Sequence, residues 1–202
     1  RRLDQAGQAF RRLGFTVSPR GDHQGLGTAN HTVMLDRNYF ELLTVDESND
    51  ANRRWAEILT RREGLGGIAL RTPDAAATRT SLEARGIPVP EPTSFGRPVK
   101  TAEGESEARF TIAHLPPEAT PSLPAFFCQH HTPELVWLPE LTEHPNTALR
   151  LVGLTVVHPD PELASAGWER LLGRASVHPH PGGIAIDLRG TRLWLVRPDY
   201  AE

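Results

Sequence analysis

Three helix endings constrain this chain more than anything else in it. Phe10-Arg-Arg-Leu-Gly14, Leu82-Glu-Ala-Arg-Gly86 and Trp168-Glu-Arg-Leu-Leu-Gly173 each close a helical segment on a glycine, and each leads into several short strand-like runs. A glycine just past the last helical residue can take the left-handed conformation that stops a helix. The same order met three times is an internal repeat. Its grammar is strand–helix–strand–strand–strand, and the first copy lacks only the opening strand.

The runs themselves follow from local patterning. Leu3, Ala6, Phe10 and Leu13 recur at helical spacing. Phe15–Pro19 reads as a strand, 21–29 as a glycine-rich loop, and Asn30–Leu35 and Tyr39–Val45 as strands about the turn Asp36-Arg37-Asn38. Asn49 or Asp50 can cap a helix ending near Gly64. Gly66–Arg71 is a strand, and Thr72-Pro73-Asp74 opens a helix running to Arg85. Glu107–Ala113 and Ala125–His131 are strands. Further on come a strand over Leu151–Val157, a helix over Pro161–Leu172, a strand over Ala175–His178, and a hairpin of Gly183–Leu188 and Thr191–Val196. The expected domains are a first module over 1–45, a linker helix over 46–64, a second module over 65–131, an irregular connection over 132–149, and a third module over 150–198. An apolar strand is expected before Arg1, completing the first module.

Composition narrows the partners. The chain has 202 residues, 38% hydrophobic and 23% charged, which is ordinary globular material with ample core. A net charge of −3 without a basic block gives no electrostatic case for nucleic acid. No apolar run approaches a membrane span. The single cysteine, Cys128, excludes an intramolecular disulfide framework and fits a reducing compartment, so a cytoplasmic location is expected.

The stretch Gly25–Val45 holds the best candidate for chemistry. Glu41 interrupts the apolar strand Tyr39-Phe40-Glu41-Leu42-Leu43, and a buried carboxylate must find a cation or a hydrogen bond. Alternation puts Tyr39, Glu41 and Leu43 on one face. His23 sits in the glycine-rich loop, where backbone can approach a ligand. Asn30 and His31 open an inner strand, as pocket lining or as cross-strand hydrogen bonding. Gln129 and His131 share a face if their strand is regular. Cys128 reads as packed within that strand. His178-Pro179-His180 reads as a solvated loop.

The βαβββ grammar resembles the vicinal oxygen chelate superfamily, which includes glyoxalase I, extradiol dioxygenases and bleomycin-resistance proteins. Phe10–Phe15, Gly25–Val45 and Phe126–His131 with Thr132-Pro133-Glu134 look like its glyoxalase-like branch. The resemblance implies an α+β fold of repeated βαβββ modules with curled mixed sheets, two of which form a shared pocket. It also implies a divalent metal (Zn, Ni, Mn or Fe) held by residues on the first and last strands of each module. Glu41 matches the last-strand glutamate, as ligand or catalytic base. Gln129 falls at that position in the second module, with His131 beside it. The opening-strand position of the second module falls near Gly66, which cannot ligate, and the third module offers only Leu193-Trp194-Leu195.

Two functions follow from the resemblance. One is a divalent-metal-dependent lyase, isomerase or dioxygenase acting on a small metabolite with vicinal oxygens. The other is a metal-free protein that binds or sequesters a small molecule between aromatic walls, to which Tyr39, Phe127, Trp137 and Trp168 could contribute. His23, Asn30, His31, Tyr39 and Phe127 are the expected ligand-pocket residues. A small molecule is the expected partner, and a chain with an unpaired third module is a candidate homodimer.

Overall fold

The computed structural model describes residues 2–101, 104–121 and 123–201. In chain order the elements are α1 (Arg2–Arg12), β1 (Gly21–His23), β2 (Thr28–Met34), β3 (Tyr39–Val45), α2 (Arg53–Arg61), β4 (Ile68–Arg71), α3 (Ala75–Glu83), β5 (Thr93–Thr101), β6 (Gly104–His114), β7 (Ala125–His130), α4 (Pro139–Thr142), β8 (Gly153–Val157), α5 (Pro161–Leu172), β9 (Val177–His180), β10 (Gly183–Asp187) and β11 (Arg192–Val196). The order β4–α3–β5–β6–β7 recurs as β8–α5–β9–β10–β11, and α1–β1–β2–β3 repeats it from the helix onward. The fold is α+β, made of repeated βαβββ units.

The sheets repeat as the elements do. Strands pair in the orders β4-β7-β6-β5 and β8-β11-β10-β9, with the opening strand parallel to the last in each. β1-β2-β3 is an antiparallel sheet. Two of the helix endings are alike in detail. Gly14 and Gly86 both have positive φ, and the amide of the next residue, Phe15 or Ile87, donates to the carbonyl of Phe10 or Leu82. Each closes the last turn with the six-to-one bond that a left-handed glycine permits.

The chain divides into two compact units. The first comprises 1–65, 94–110 and 130–151; the second comprises 66–93, 111–129 and 152–202. In the first, one face of the β1-β2-β3 sheet packs on α1, where Phe10, Phe15 and Phe40 meet with ring centroids 5.8–6.4 Å apart. In the second, α3 and α5 bury Leu82, Ala164, Trp168 and Leu171 with Ile184, Ile186, Leu193 and Leu195 of the β8-β11-β10-β9 sheet. The apolar alternation in β10 and β11 puts all four of those sheet residues on one face.

Several expected boundaries shift for physical reasons. The segment 15–19 is extended but not a strand. Ser18 pairs with Thr32 through its amide and hydroxyl, and Pro19 then has no N–H with which to continue a ladder. Pairing resumes at Gly21, so part of the expected loop is β1. The cap of α3 is Asp74, whose carboxylate accepts from the Ala77 amide. Thr72 instead shares its hydroxyl with Thr78, and the helix is shorter than expected. Neither Asn49 nor Asp50 caps α2. Asn52 occupies that position without a side-chain capping bond, and its amide ties down the carbonyls of Leu26 and Glu47. His178-Pro179-His180 lies inside β9, not in a loop. β9 is an edge strand, where a missing proline N–H costs no ladder bond.

Candidate functional site

The first unit concentrates its polar side chains on one sheet face. Antiparallel register sets Gly21 against Asn30, His23 against Thr28, Asn30 against Leu43 and Thr32 against Glu41. Directly opposed residues project to the same side. Gly21, His23, Thr28, Asn30, Thr32, Tyr39 and Glu41 therefore share a face, opposite the one that α1 covers.

Asn30 organises this face. Its Nδ2 donates to Glu41 Oε1 at 2.7 Å, and its Oδ1 accepts from Arg97 Nη1 at 3.5 Å. The carboxylate on one side and the guanidinium on the other leave one sensible orientation of the amide. His23 completes the cluster. Its Nδ1 lies 2.8 Å from Thr28 Oγ1 and its Nε2 3.8 Å from Glu41 Oε1. The His23 side chain is 8% exposed and that of Glu41 31%, so the cluster meets solvent at the carboxylate.

Burial sets the charge states. It pulls the His23 imidazole below its usual 6.5; Glu41 opposes this, Arg97 reinforces it, and Asp22 opposes it more weakly. His23 is therefore neutral near pH 7. Arg97 is 8% exposed. Burial lowers its affinity for its proton, while Glu41 and Tyr39 act in the opposite direction. A guanidinium stays charged all the same. Its place depends on Gly21: a Cβ there would stand 2.4 Å from Arg97 Cδ and 2.6 Å from Nη1.

Aromatic rings adjoin the polar cluster. His23 meets Phe95 edge-on with centroids 5.5 Å apart, and Phe95 stacks on Phe110 at 5.2 Å. Phe110 meets His130 at 5.3 Å, and Trp137 lies against both His130 and Tyr39. The Tyr39 hydroxyl is 3.3 Å from His130 Nε2, and Trp137 Nε1 donates to the Leu35 carbonyl.

Of the residues expected from sequence, the structure brings together His23, Asn30, Tyr39 and Glu41. The others lie elsewhere. His31 is on the opposite sheet face, with Nδ1 donating to the Ser18 carbonyl at 2.8 Å and Nε2 3.8 Å from Asp4. Gln129 belongs to the second unit, where its Oε1 accepts from the Ala75 amide at the start of α3. Phe127 packs against the second unit's core, and Trp168 is fully buried within it. Trp168 is thus core, not an aromatic wall. His131 falls just past β7, is exposed, and donates its amide to the Arg109 carbonyl. Because the strand stops at His130, alternation does not carry from Gln129 to His131. Cys128 is buried, as its packed reading requires.

Sequence reasoning missed Arg97, Phe95, Phe110 and the inward setting of His130. Arg97 had one available signal. Phe95-Gly96-Arg97 alternates an aromatic and a cation on one strand face, but nothing in a lone sequence says that such an arginine is buried.

The donors present fit a divalent metal poorly. Among the described residues no group of three or more His, Cys, Asp or Glu side chains could hold an ion. His23 and Glu41 supply two donors, and the next neighbour is a guanidinium, which repels a cation. A protein-held divalent site ordinarily has at least three such ligands.

The second unit carries two surface clefts. One of about 480 Å³ is lined by Glu83, Pro88–Pro90 and His114–Pro116. The other, of about 410 Å³, lies beside His178, His180, Asp187, Arg192 and Trp194. The first is mostly apolar and proline-rim. In the second, Asp187 is already neutralised by Arg192 at 2.8 Å and His178 at 3.1 Å. Neither holds a buried charge that needs a partner, so the first unit's cluster is the stronger candidate. No helix among the described residues is long and apolar enough to cross a membrane.

The fold is of the βαβββ class, and comparison with known proteins agrees. A family model described as a glyoxalase-like domain matches residues 1–172. The chain belongs to that family, a branch of the vicinal oxygen chelate superfamily. Among solved structures it is similar to a hypothetical protein from Staphylococcus aureus. The two are 15% identical with a TM-score of 0.77, covering 96% of this chain and 81% of that one. That likeness establishes the fold. No curated protein matches.

Proposed function

We propose that this glyoxalase-like protein binds a small metabolite in its first unit and moves a proton on it, as a lyase or isomerase, without a protein-bound divalent metal. The observation that carries the reading is the pair His23 Nε2 and Glu41 Oε1, 3.8 Å apart. One group is desolvated and neutral. The other is a carboxylate held in place by Asn30. Such a pair can take a proton from a bound molecule and return it at a neighbouring atom. Arg97, from β5, meets the same cluster through Asn30, where a fixed cation stabilises negative charge developing on an oxygen.

The test is solvent hydrogen exchange. Small oxo and hydroxy acids are incubated with protein in deuterated buffer, and loss of carbon-bound proton signal is followed by NMR. Exchange is expected with the native chain and is expected to fall by about a hundredfold or more in Glu41→Gln. Equal exchange in both proteins would reject the assignment. The metal-dependent alternative makes a separate demand: exchange, if present, would vanish on chelation and return with added zinc, nickel, manganese or iron. The aromatic rings of Phe95, Phe110, Tyr39 and Trp137 favour a second reading, a protein that only sequesters its ligand. It predicts binding with no exchange.

A further inference from the structure

We propose that Arg97 is an anion-binding residue, and that the ligand of the first unit carries a carboxylate. The proposal rests on the ligand-binding reading above and adds the ligand's chemical class.

Arg97 is a buried charge with too few partners. A guanidinium has five N–H donors and cannot shed its charge. Burying one without compensation is costly, so buried arginines are ordinarily paired and hydrogen-bonded. Here, among the described residues, its hydrogen-bond partner is Asn30, at the long distance of 3.5 Å. No described carboxylate oxygen lies within 4 Å of it; Glu41 acts on it only through space. Among the described residues no other acceptor is bonded to it, and none of its nitrogens is a buried atom without a partner, so its remaining donors are reached by solvent.

The surroundings keep this donor set in place. Gly21 lacks the side chain that would displace it, and Asn30 turns its carbonyl toward it while bonding Glu41 with its amide nitrogen. The cluster meets solvent at Glu41, whose side chain is partly exposed. A planar carboxylate matches the guanidinium fork in two parallel hydrogen bonds.

Charge argues for a carboxylate over a phosphate. With His23 neutral, Arg97 and Glu41 cancel. A monoanion leaves one negative charge, which protonation of His23 can remove. A dianionic phosphate would leave two beside Glu41. The site therefore favours a single negative charge, with a proton taken up by His23 as the anion enters.

The test uses pyruvate as probe, with inorganic phosphate and neutral acetamide as comparison arms, in calorimetric titrations and thermal melts of the whole chain. Pyruvate is expected to bind and acetamide not to bind. Arg97→Gln is expected to weaken pyruvate by about tenfold to a hundredfold, the loss typical of a charge-assisted hydrogen bond. Without ligand it is expected to melt no lower than the native chain, because it removes a largely desolvated cation whose one protein hydrogen bond is long. Glu41→Gln is expected to bind pyruvate at least as well, since a like charge is removed, while losing proton exchange. Equal pyruvate affinity with and without Arg97 overturns the proposal. So does a clear fall in melting temperature for ligand-free Arg97→Gln, which would make Arg97 a structural cation. Phosphate binding with pyruvate silent overturns the carboxylate assignment. Pyruvate binding through Arg97 without exchange leaves the anion site standing and removes the acid–base reading. Exchange that is indifferent to Arg97 does the reverse.

Discussion

Replacing Gly21 by alanine probes the placement of Arg97 without touching a charge. The new methyl would lie 2.4 Å from Arg97 Cδ, 2.6 Å from Nη1 and 3.0 Å from Asn30 Oδ1. Carbon atoms rest at about 3.5–4.0 Å, so the arginine must retreat by about 1 Å. That movement breaks a hydrogen bond already at 3.5 Å. Overpacking of this size costs about 1–3 kcal/mol. A flexible side chain yields more readily than backbone, so the lower end applies, and alanine in a strand returns about 0.5–1 kcal/mol over glycine. The single variant should lose at most about 0.5 kcal/mol. In an Arg97→Ala background the obstacle is gone, and the same substitution should be neutral or stabilise by about 0.5 kcal/mol. Urea unfolding of the four proteins yields the coupling, expected at about 1 kcal/mol. Equal destabilisation in both backgrounds would show that Gly21 is not there to admit Arg97.

Three further substitutions test other contacts. His23 has a depressed pKa when folded, so the unfolded chain binds more protons between that value and 6.5. Its contribution to stability is complete above 6.5 and is lost as pH falls through that window. His23→Gln should therefore flatten the stability difference measured between about pH 7 and pH 5.5, and an unchanged slope would count against a neutral, desolvated His23. His144 is buried with both nitrogens bonded: the Thr16 amide donates to Nδ1 at 3.0 Å, and Nε2 donates to the Met34 carbonyl at 2.7 Å. His144→Leu orphans both backbone groups and should cost about 2–4 kcal/mol in urea unfolding; a loss below about 0.5 kcal/mol would mean that water replaces them. Asn30→Leu removes the bond to a partly exposed carboxylate, with an expected loss of about 1–2 kcal/mol. The same change should raise the KM of the exchange reaction and lower its kcat, whereas a purely structural asparagine would affect stability alone.

The repeat and its helices were legible because their signals are local. A glycine past an amphipathic run, or Asp160 before Pro161, determines a helix end within a few residues. The Asp160 carboxylate does accept from the Leu163 amide. β2 and β3 were readable from alternation about a short turn. β1 was not, because Gly21-Asp22-His23 carries no apolar pattern; it is a strand only because Thr28–Asn30 pairs with it. The end of β9 was hidden by Pro179, which reads as a breaker unless one knows that the strand lies at an edge. The candidate site divided in the same way. Glu41, Asn30 and Tyr39 follow from parity on adjacent strands. Arg97 comes from a strand more than fifty residues further on, and its burial is a tertiary fact with no periodic trace. Gln129 shows the converse error: alternation assigned it a face, but the helix after β4 needed an acceptor for the Ala75 amide.

The most direct measurement is a pyruvate titration of isotope-labelled protein followed by proton–nitrogen correlation spectra. The account predicts saturable shifts at His23, Asn30, Glu41 and Arg97, with the Arg97 side-chain Nε–H moving among the most. It predicts none at Val89 and His114 or at His178 and Trp194, which line the clefts of the second unit. Shifts confined to either of those clefts, with the first unit's cluster silent, would contradict it.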